Sequence, residues 1–308
     1  MELRQLQYVI EIAKEKNVSR AAKNLHIAQP SLSQQLAKLE KELGVLLFQR
    51  STNSVELTHA GAAFVAQAQK IADAVEQLKR EMEDIALMRK GKLVVGSLPM
   101  TGSHVLPLVL PVFKAAYPDI EVTLIEETSA NLEQLAAQGH TDISLLSLPL
   151  QDRSLECKPI INEEICLAVP PNHRLAALSA KVPSLELSEL KDEPFVLLKK
   201  GQGFRHITLD LCASAGFAPQ VVFESSNIET VQSLVAAGMG VALVPQMVTR
   251  SSGSRLTPVY LRLNPAPTRT LVIAYRKGRY LSKAAEAFID TMTSVMNKTG
   301  MSALGANG

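Results

Sequence analysis

The side chains best placed for chemistry lie in residues 19–43, SRAAKNLHIAQPSLSQQLAKLEKEL. Pro30, Gln34 and Lys38, flanked by Ser31 and Ser33, fall on one side of an amphipathic segment. They are groove-sized hydrogen-bonding groups near a helix start. Leu32, Leu36, Leu39 and Leu43 recur on the other side at helical spacing and must face inward. Pro30 suits the first position of that helix, where a missing N–H costs nothing. Before it, Ser19 reads as an N-cap and Ala21, Ala22 and Leu25 as a compact apolar stripe. A helix-turn-helix presents such a polar region to the DNA major groove. The same pattern also serves helical bundles, where the polar face is merely solvated.

Other elements must hold those residues in place. Leu3, Leu6, Ile10 and Ala13 supply a third helix to close a small core. After Gly44, VLLFQRSTNSVELT reads as two short strands with a turn at Thr52–Ser54, a wing. Arg50 beside that turn, with Thr52 in it, is a candidate contact to a phosphate or the adjacent minor groove.

With 308 residues the chain can build two or three domains with sizeable cores. The net charge of +2 argues against a protein held on nucleic acid by bulk charge, yet allows a reader that uses a few placed cations. Residues 1–60 carry eight Lys/Arg against six Asp/Glu, so a small basic excess sits at this end. Cys157, Cys166 and Cys212 lack metal spacing and are odd in number, so structural zinc and a disulfide framework are not expected. They read as small buried apolar residues, with redox activity left open. The start, Met-Glu-Leu-Arg, has no apolar signal core, and the apolar run near Ser233–Val248 is too short to cross a bilayer. A cytoplasmic protein without a membrane partner is expected.

From Thr58 to about Met88 there is no proline. Phe64, Ala68, Ile71, Val75, Leu78, Met82 and Ile85 recur in alternating steps of four and three. This is a heptad seam on a helix on the order of 45 Å long. A narrow stripe on so long a helix needs a cover, either the chain's own domain or the same helix of a second subunit. Pairing of subunits is the preferred reading, and it would present two DNA-reading units to a two-fold operator.

Beyond Arg89-Lys90-Gly91-Lys92 the pattern changes to alternating strands and helices. Strands are expected at 92–97, 120–126 and 142–147, with helices at 102–117 and from Ser129, as cap, to Gln138. This βαβαβ order predicts a parallel sheet. A second set has strands at 195–198, 220–223 and 241–244 and helices at 204–215 and 228–237. Extended segments near 160–169 and 259–263 link the sets, and strand 270–276 with helix 282–297 rejoins the first. Two lobes joined by two crossing strands enclose a cleft. Ligands in such sheets bind beyond the carboxyl ends of strands, at helix N-termini. Ser97, Thr101, Thr128, Ser129 and Ser147 stand there in the first lobe, and Gln202, Gly203 and Phe204 in the second. The set suits a small polar or anionic metabolite. Each hydroxyl taken singly also serves as an ordinary helix cap.

The stretches AAKNLHIAQPSLSQQLAKLEKELGVLLFQR, VELTHAG and FESSNIETVQSLVAAGMGVALVP strongly resemble the LysR-type transcriptional regulators, over essentially residues 1–297. The resemblance implies a fold in three parts. These are an α+β winged helix-turn-helix, a long linker helix, and a bilobal α/β effector domain like periplasmic binding proteins. The corresponding segments are 1–58, 59–90 and 91–300, followed by a disordered tail at 301–308. Lobe I takes about 91–161 and 265–300, and lobe II about 162–264. By that similarity Gln29, Pro30, Ser33 and Gln34 match groove-facing positions, and Arg50 the wing arginine. Ser97, Thr128 and Phe204 match positions that commonly meet a co-inducer. The implied partners are double-stranded promoter DNA, further copies of the chain as a dimer or tetramer, RNA polymerase, and a small-molecule effector. The wing reads Ser51-Thr52-Asn53-Ser54, where relatives often carry another cation, so fewer phosphate contacts and a shallower salt dependence are expected.

An enzyme on a bilobal fold is the alternative. His104, His140, His173 and His206 show no metal spacing, and His26 and His59 fit surface or cap positions. The chain has neither a Gly-x-Ser-x-Gly elbow nor a phosphate-binding Gly-x-x-x-x-Gly-Lys loop. Asp142 and Glu126 could be imagined as an acid–base pair, although strand-end carboxylates are usually solvated. No catalytic residue and no metal is assigned. A solute-binding protein for transport is opposed by the missing signal segment and by the extra N-terminal 90 residues.

Overall fold

The computed structural model describes residues 1–50, 55–85, 91–178, 184–249 and 256–299, and contacts divide the chain into units 1–87 and 88–308. Expectations for Thr52, for the side chains of Arg50 and Ile85, for the end of the linker segment at 86–90 and for the tail at 301–308 lie outside the described residues.

The first unit runs α1 (Leu3–Glu15), α2 (Val18–Asn24), α3 (Gln29–Leu43), β1 (Phe48–Arg50), β2 (Val55–Leu57) and α4 (His59–Ile85). Its core gathers Val9, Ile12, Ala21, Ala22, Leu32, Leu36, Leu39, Leu47, Phe48 and Val65. Each fully buried leucine here is worth about 1.5–3 kcal/mol over exposure. The inward face of α1 is Leu6, Val9 and Ile12, whereas Leu3 is exposed and Ile10 half-buried. The stripe is therefore rotated from the expected one, and Gln5 takes a buried place in a capping box with Glu2. The cap of α2 is Asn17, whose Oδ1 accepts the Arg20 N–H at 3.0 Å; Ser19 lies inside the helix. Lys16 ends α1 in a left-handed turn at φ 50°, so the next helix begins two residues sooner than expected. In α3, Gln29 comes first and Pro30 second, still within the turn whose N–H groups have no helical partner. Leu43 is exposed, because Gly44 (φ 71°) stops the helix just beyond the core.

Strands β1 and β2 pair antiparallel, Phe48 opposite Leu57. Glu40 fixes the base of this wing to α3: its Oε1 accepts the Leu47 N–H (2.7 Å) and the Phe48 N–H (3.2 Å). Thr58 fixes it to α4, donating to the Leu46 carbonyl (2.7 Å) and accepting from the Gly61 N–H (2.9 Å). Position 61 must be glycine, since a Cβ there would fall 1.9 Å from the Leu47 carbonyl oxygen. Helix α4 has 27 residues and a length of about 40 Å.

The second unit opens β3 (Gly91–Ser97), α5 (Pro99–Ala116), β4 (Ile120–Glu126), α6 (Ser129–Ala137) and β5 (Ile143–Ser147). A long strand β6 (Leu155–Val169) leads through α7 (Arg174–Leu178) to β7 (Pro194–Leu198), α8 (Gly203–Ser214), β8 (Gln220–Ser225), α9 (Ile228–Ala236) and β9 (Ala242–Pro245). Then come β10 (Val259–Leu261), β11 (Thr268–Arg276) and α10 (Lys283–Lys298). Strand β3 pairs parallel with β4 and β5, as the βαβαβ order requires, and β11 closes antiparallel on β5 and β6. The main sheet runs β10-β6-β11-β5-β3-β4, with β9 also on β6, while β7 and β8 form a parallel pair.

Among the described residues the second unit has two large cores and a smaller cluster of Leu98, Leu132, Leu146, Val272 and Ala274. One large core centres on Leu93, Phe113, Ile143, Ile273 and Phe288; the other on Leu167, Phe195, Val235 and Val244. Strand β6 serves both: Leu155–Glu164 face β11, and Ile165–Val169 face β9 and β10. The two lobes follow from this sharing. Helix α5 begins at Pro99, earlier than expected, which places Thr101 within its first turn. The cap of α6 is Thr128 (Oγ1 from the Asn131 N–H, 3.4 Å), so Ser129 is its first residue.

Candidate functional sites

The outer side of α3 is built by default. Because Leu32, Leu36 and Leu39 are buried, helical geometry turns Pro30, Ser31, Gln34 and Lys38 outward, and all four are exposed. Gln29 Nε2 donates to Ser33 Oγ at 2.9 Å, one turn apart, which holds both side chains in register on the same face. His26 takes the left-handed turn before α3 at φ 54° and is exposed, as expected of a surface residue. Arg50 lies at the end of β1.

On α4 the seam divides. Phe64 packs partly against the first unit's core and Ala68 is fully buried. Further along, Ile71, Leu78 and Met82 are 41%, 57% and 49% exposed, and Val75 is half-buried. The first turns of the helix thus belong to the chain's own core, and Ile71, Leu78 and Met82 beyond them present apolar side chains to solvent.

In the second unit two contacts at helix N-termini involve candidate residues, Ser97 against Gly102 and Ser129 with Gly203. Ser97 is fully buried at the end of β3, donating to the Leu98 carbonyl at 3.1 Å. Its Oγ lies 3.0 Å from where a Cβ on Gly102 would be, so it sits against the first turn of α5. Ser129 Oγ accepts the Gly203 N–H at 3.0 Å, a direct bond from the first lobe to the start of α8 in the second. A Cβ on Gly203 would come 2.6 Å from that same Oγ. Gln202 occupies the cap position of α8 without a side-chain cap bond, and Phe204 beside it is buried. Thr101 is buried, Ser147 half-buried, and neither hydroxyl has a hydrogen-bond partner among the described residues.

The sequence reading missed an ion pair where the lobes join. Glu163 of β6 and Arg269 of β11 stand opposite each other in the ladder, both buried. Arg269 Nε donates to Glu163 Oε1 at 2.6 Å. Glu163 Oε2 accepts the Met247 N–H at 3.0 Å, and Arg269 Nη2 reaches Met247 Sδ at 3.5 Å. The guanidinium lies 5.4 Å over the Phe204 ring. Burial lowers the Arg269 pKa from its ordinary value, and Glu163 opposes the shift. Arg269 Nη1 has no partner among the described residues. Nothing in the residue pattern marks this pair, because its members are 106 positions apart.

Asp142 is not a solvated carboxylate. It is buried, accepts the Val94 N–H at 2.8 Å and faces Arg279 at 3.7 Å, so it braces strands rather than serving an acid–base pair with exposed Glu126. Cys166 and Cys212 are buried, but Cys157 is exposed on β6, against the expectation for it. No helix among the described residues is long and apolar enough to cross a membrane.

Residues 3–62 match the model of bacterial regulatory helix-turn-helix proteins of the lysR family, and residues 88–297 match the LysR substrate binding domain. An uncharacterized HTH-type transcriptional regulator of Bacillus subtilis, YcgK, is 41% identical over 97% of this chain and 96% of its own. A hydrogen peroxide-inducible genes activator of Haemophilus influenzae is 32% identical over 96% and 99%. A solved full-length OxyR variant from Pseudomonas aeruginosa superposes with a TM-score of 0.75 at 30% identity, covering 95% of this chain and 94% of that one. The polar face of α3, the two-lobed second unit and these matches agree: the chain belongs to the LysR family of bacterial transcriptional regulators, not to a family of enzymes.

Proposed function

We propose that this regulator reads promoter DNA through α3 and the wing, with Gln29, Pro30, Ser31, Ser33, Gln34 and Lys38 in the major groove and Arg50 and Thr52 on the backbone or minor groove. The observation that carries the reading is the outward polar row on α3, fixed by three buried leucines and tied by the Gln29–Ser33 bond. Glutamine is suited to base edges and lysine to phosphates. Replacing Gln34 by alanine tests it: specific affinity in a gel shift falls while the melting temperature holds. Unchanged affinity removes α3 from the groove.

The exposed part of the α4 seam supports pairing between chains, in a dimer or a tetramer, with segments 1–58, 59–90 and 91–300 as reading head, linker and effector domain. The effector is a small polar or anionic molecule in the interlobe cleft, near Ser97, Thr101, Thr128, Ser129, Ser147, Gln202, Gly203 and Phe204. Replacing Ser97 by alanine together with Thr128 by valine should abolish effector response in a reporter strain and leave basal DNA binding in place. RNA polymerase is the expected downstream partner, and the cytoplasm the site of action.

One of the relatives is named as an activator of hydrogen peroxide-inducible genes. The thiolate is the reactive form, and burial raises the pKa of Cys157 and Cys166 and pushes Cys212 up to about 11.

A further inference from the structure

Glu40 is an acidic residue where α3 has least use for one. It stands near the carboxyl end of the helix, just before the Gly44 stop, and a negative charge there opposes the helix dipole. With α3 in a DNA groove it is also a carboxylate brought toward phosphates. Its hydrogen bonds give it a use. Oε1 accepts the Leu47 N–H at 2.7 Å and the Phe48 N–H at 3.2 Å. Both residues are buried, so these donors need an acceptor within the protein. Hydrogen bonds to an ionised acceptor are about twice as strong as neutral ones.

The two N–H groups lie where β1 begins, and Arg50 ends that strand. Two residues of strand separate Phe48 from Arg50, a reach of about 7 Å. Across the ladder Arg50 pairs with Val55, whose N–H donates to the Lys16 carbonyl at 3.2 Å. Strand β1 is thus held at its base by α3, and β2 by the end of α1. Between α3 and β1 the chain turns through Gly44 in the left-handed region (φ 71°), and Val45 and Leu46 after it are exposed. Side-chain packing does little to stiffen that link, and Glu40 spans it from the helix side. Gln34 and Lys38 stand outward on the same helix. Glu40 therefore joins the row that faces the groove to the strand that carries the cation of the wing.

We propose, on the reading of α3 and the wing as the DNA-binding face, that Glu40 is a positioning residue for that binding. It fixes β1 to α3, so that Arg50 meets the duplex at a set offset from Gln34 and Lys38 in the major groove. Its contribution is placement, not charge. Two conservative variants separate the two. Glu40→Asp keeps the charge and withdraws the oxygens by one methylene. Glu40→Gln keeps an acceptor at the same reach and removes the charge.

The test is binding by the full-length protein, over a series of salt concentrations, to a duplex that the unaltered protein enriches from a random pool. Arg50→Ala should weaken binding about tenfold and lower the salt slope by about one, as for a lost phosphate contact. Glu40→Asp should match it in both respects, and the double variant Glu40→Asp/Arg50→Ala should be no weaker than either. Glu40→Gln should stay within about threefold of the unaltered protein. A purely structural role predicts something else: losses that multiply in the double variant, and a lowered melting temperature with the salt slope unaltered. Multiplied losses, full binding by Glu40→Asp, or Glu40→Gln as weak as Arg50→Ala each overturn the assignment. Should Glu40→Asp fail to fold, Glu40→Gln decides by that same comparison. Arg50→Ala tells the two readings apart. If it binds as the unaltered protein does, the wing reading fails and the positioning role with it; if it is weak beside an unaffected Glu40→Asp, only the positioning role fails.

Discussion

Helices α3 and α4 each leave one side uncovered, and the two sides carry opposite chemistry. On α3 the exposed row is Pro30, Ser31, Gln34 and Lys38, while the leucines are spent inside. On α4 the exposed row is Ile71, Leu78 and Met82. Water serves the first row well, and a groove lined with donors and acceptors serves it equally. Water serves the second badly, and only another apolar surface improves it. The contrast teaches that exposure alone does not identify an interface; the side-chain chemistry on show indicates which kind of partner fits.

The strongest challenge to this contrast is to damage the hidden side of α3. Leu39→Ala should cost the first unit about 3 kcal/mol, within the usual range for a buried leucine. Hydrogen exchange should then accelerate in α1–α3 and stay unchanged in the second unit. Uniform acceleration across both units would mean that they do not unfold independently. Next is Leu78→Asp, which places a charge on the uncovered part of α4. Self-association should weaken by about a hundredfold, or ~3 kcal/mol, as expected when a charge is desolvated without a partner. Light scattering should show the mass fall to that of one chain, while circular dichroism is unaltered; an unaltered mass would place the pairing elsewhere.

The outward row of α3 gives smaller effects, and they should differ from one another. Gln34→Ala should cost about 1–3 kcal/mol on the specific site and little on unrelated DNA. Lys38→Ala should weaken all DNA alike and lower the salt slope by about one. Two variants with the same sequence dependence would mean that the row is not divided between bases and backbone. The smallest effect belongs to the cap of α2: Asn17→Ala should lower stability by about 1 kcal/mol, and Ser19→Ala by much less. A thermal melt ranks the two.

Periodicity made the main elements legible. Strand β4 spans Ile120–Glu126 as read from IEVTLIE, and the parallel order around β3 followed from the alternation of strands and helices. Helix ends were harder. Asn17 and Ser19, like Thr128 and Ser129, are close in sequence and all suited to capping, and the backbone turn decides between them. The candidate hydroxyls could be listed from their places at strand ends, since those places follow from the fold class. The Glu163–Arg269 pair could not. Its meaning depends on the register between β6 and β11, which no local pattern encodes.

Gly61 carries a mechanical consequence. The Cα of the long helix rests directly against the Leu47 carbonyl, with no room for a single methyl between them. Thr58 joins the same two pieces by hydrogen bonds on either side of that contact. A roll of the long helix about its axis is therefore passed to the hairpin without slack, as through a keyed shaft. Any bulkier residue at 61 would shear the key.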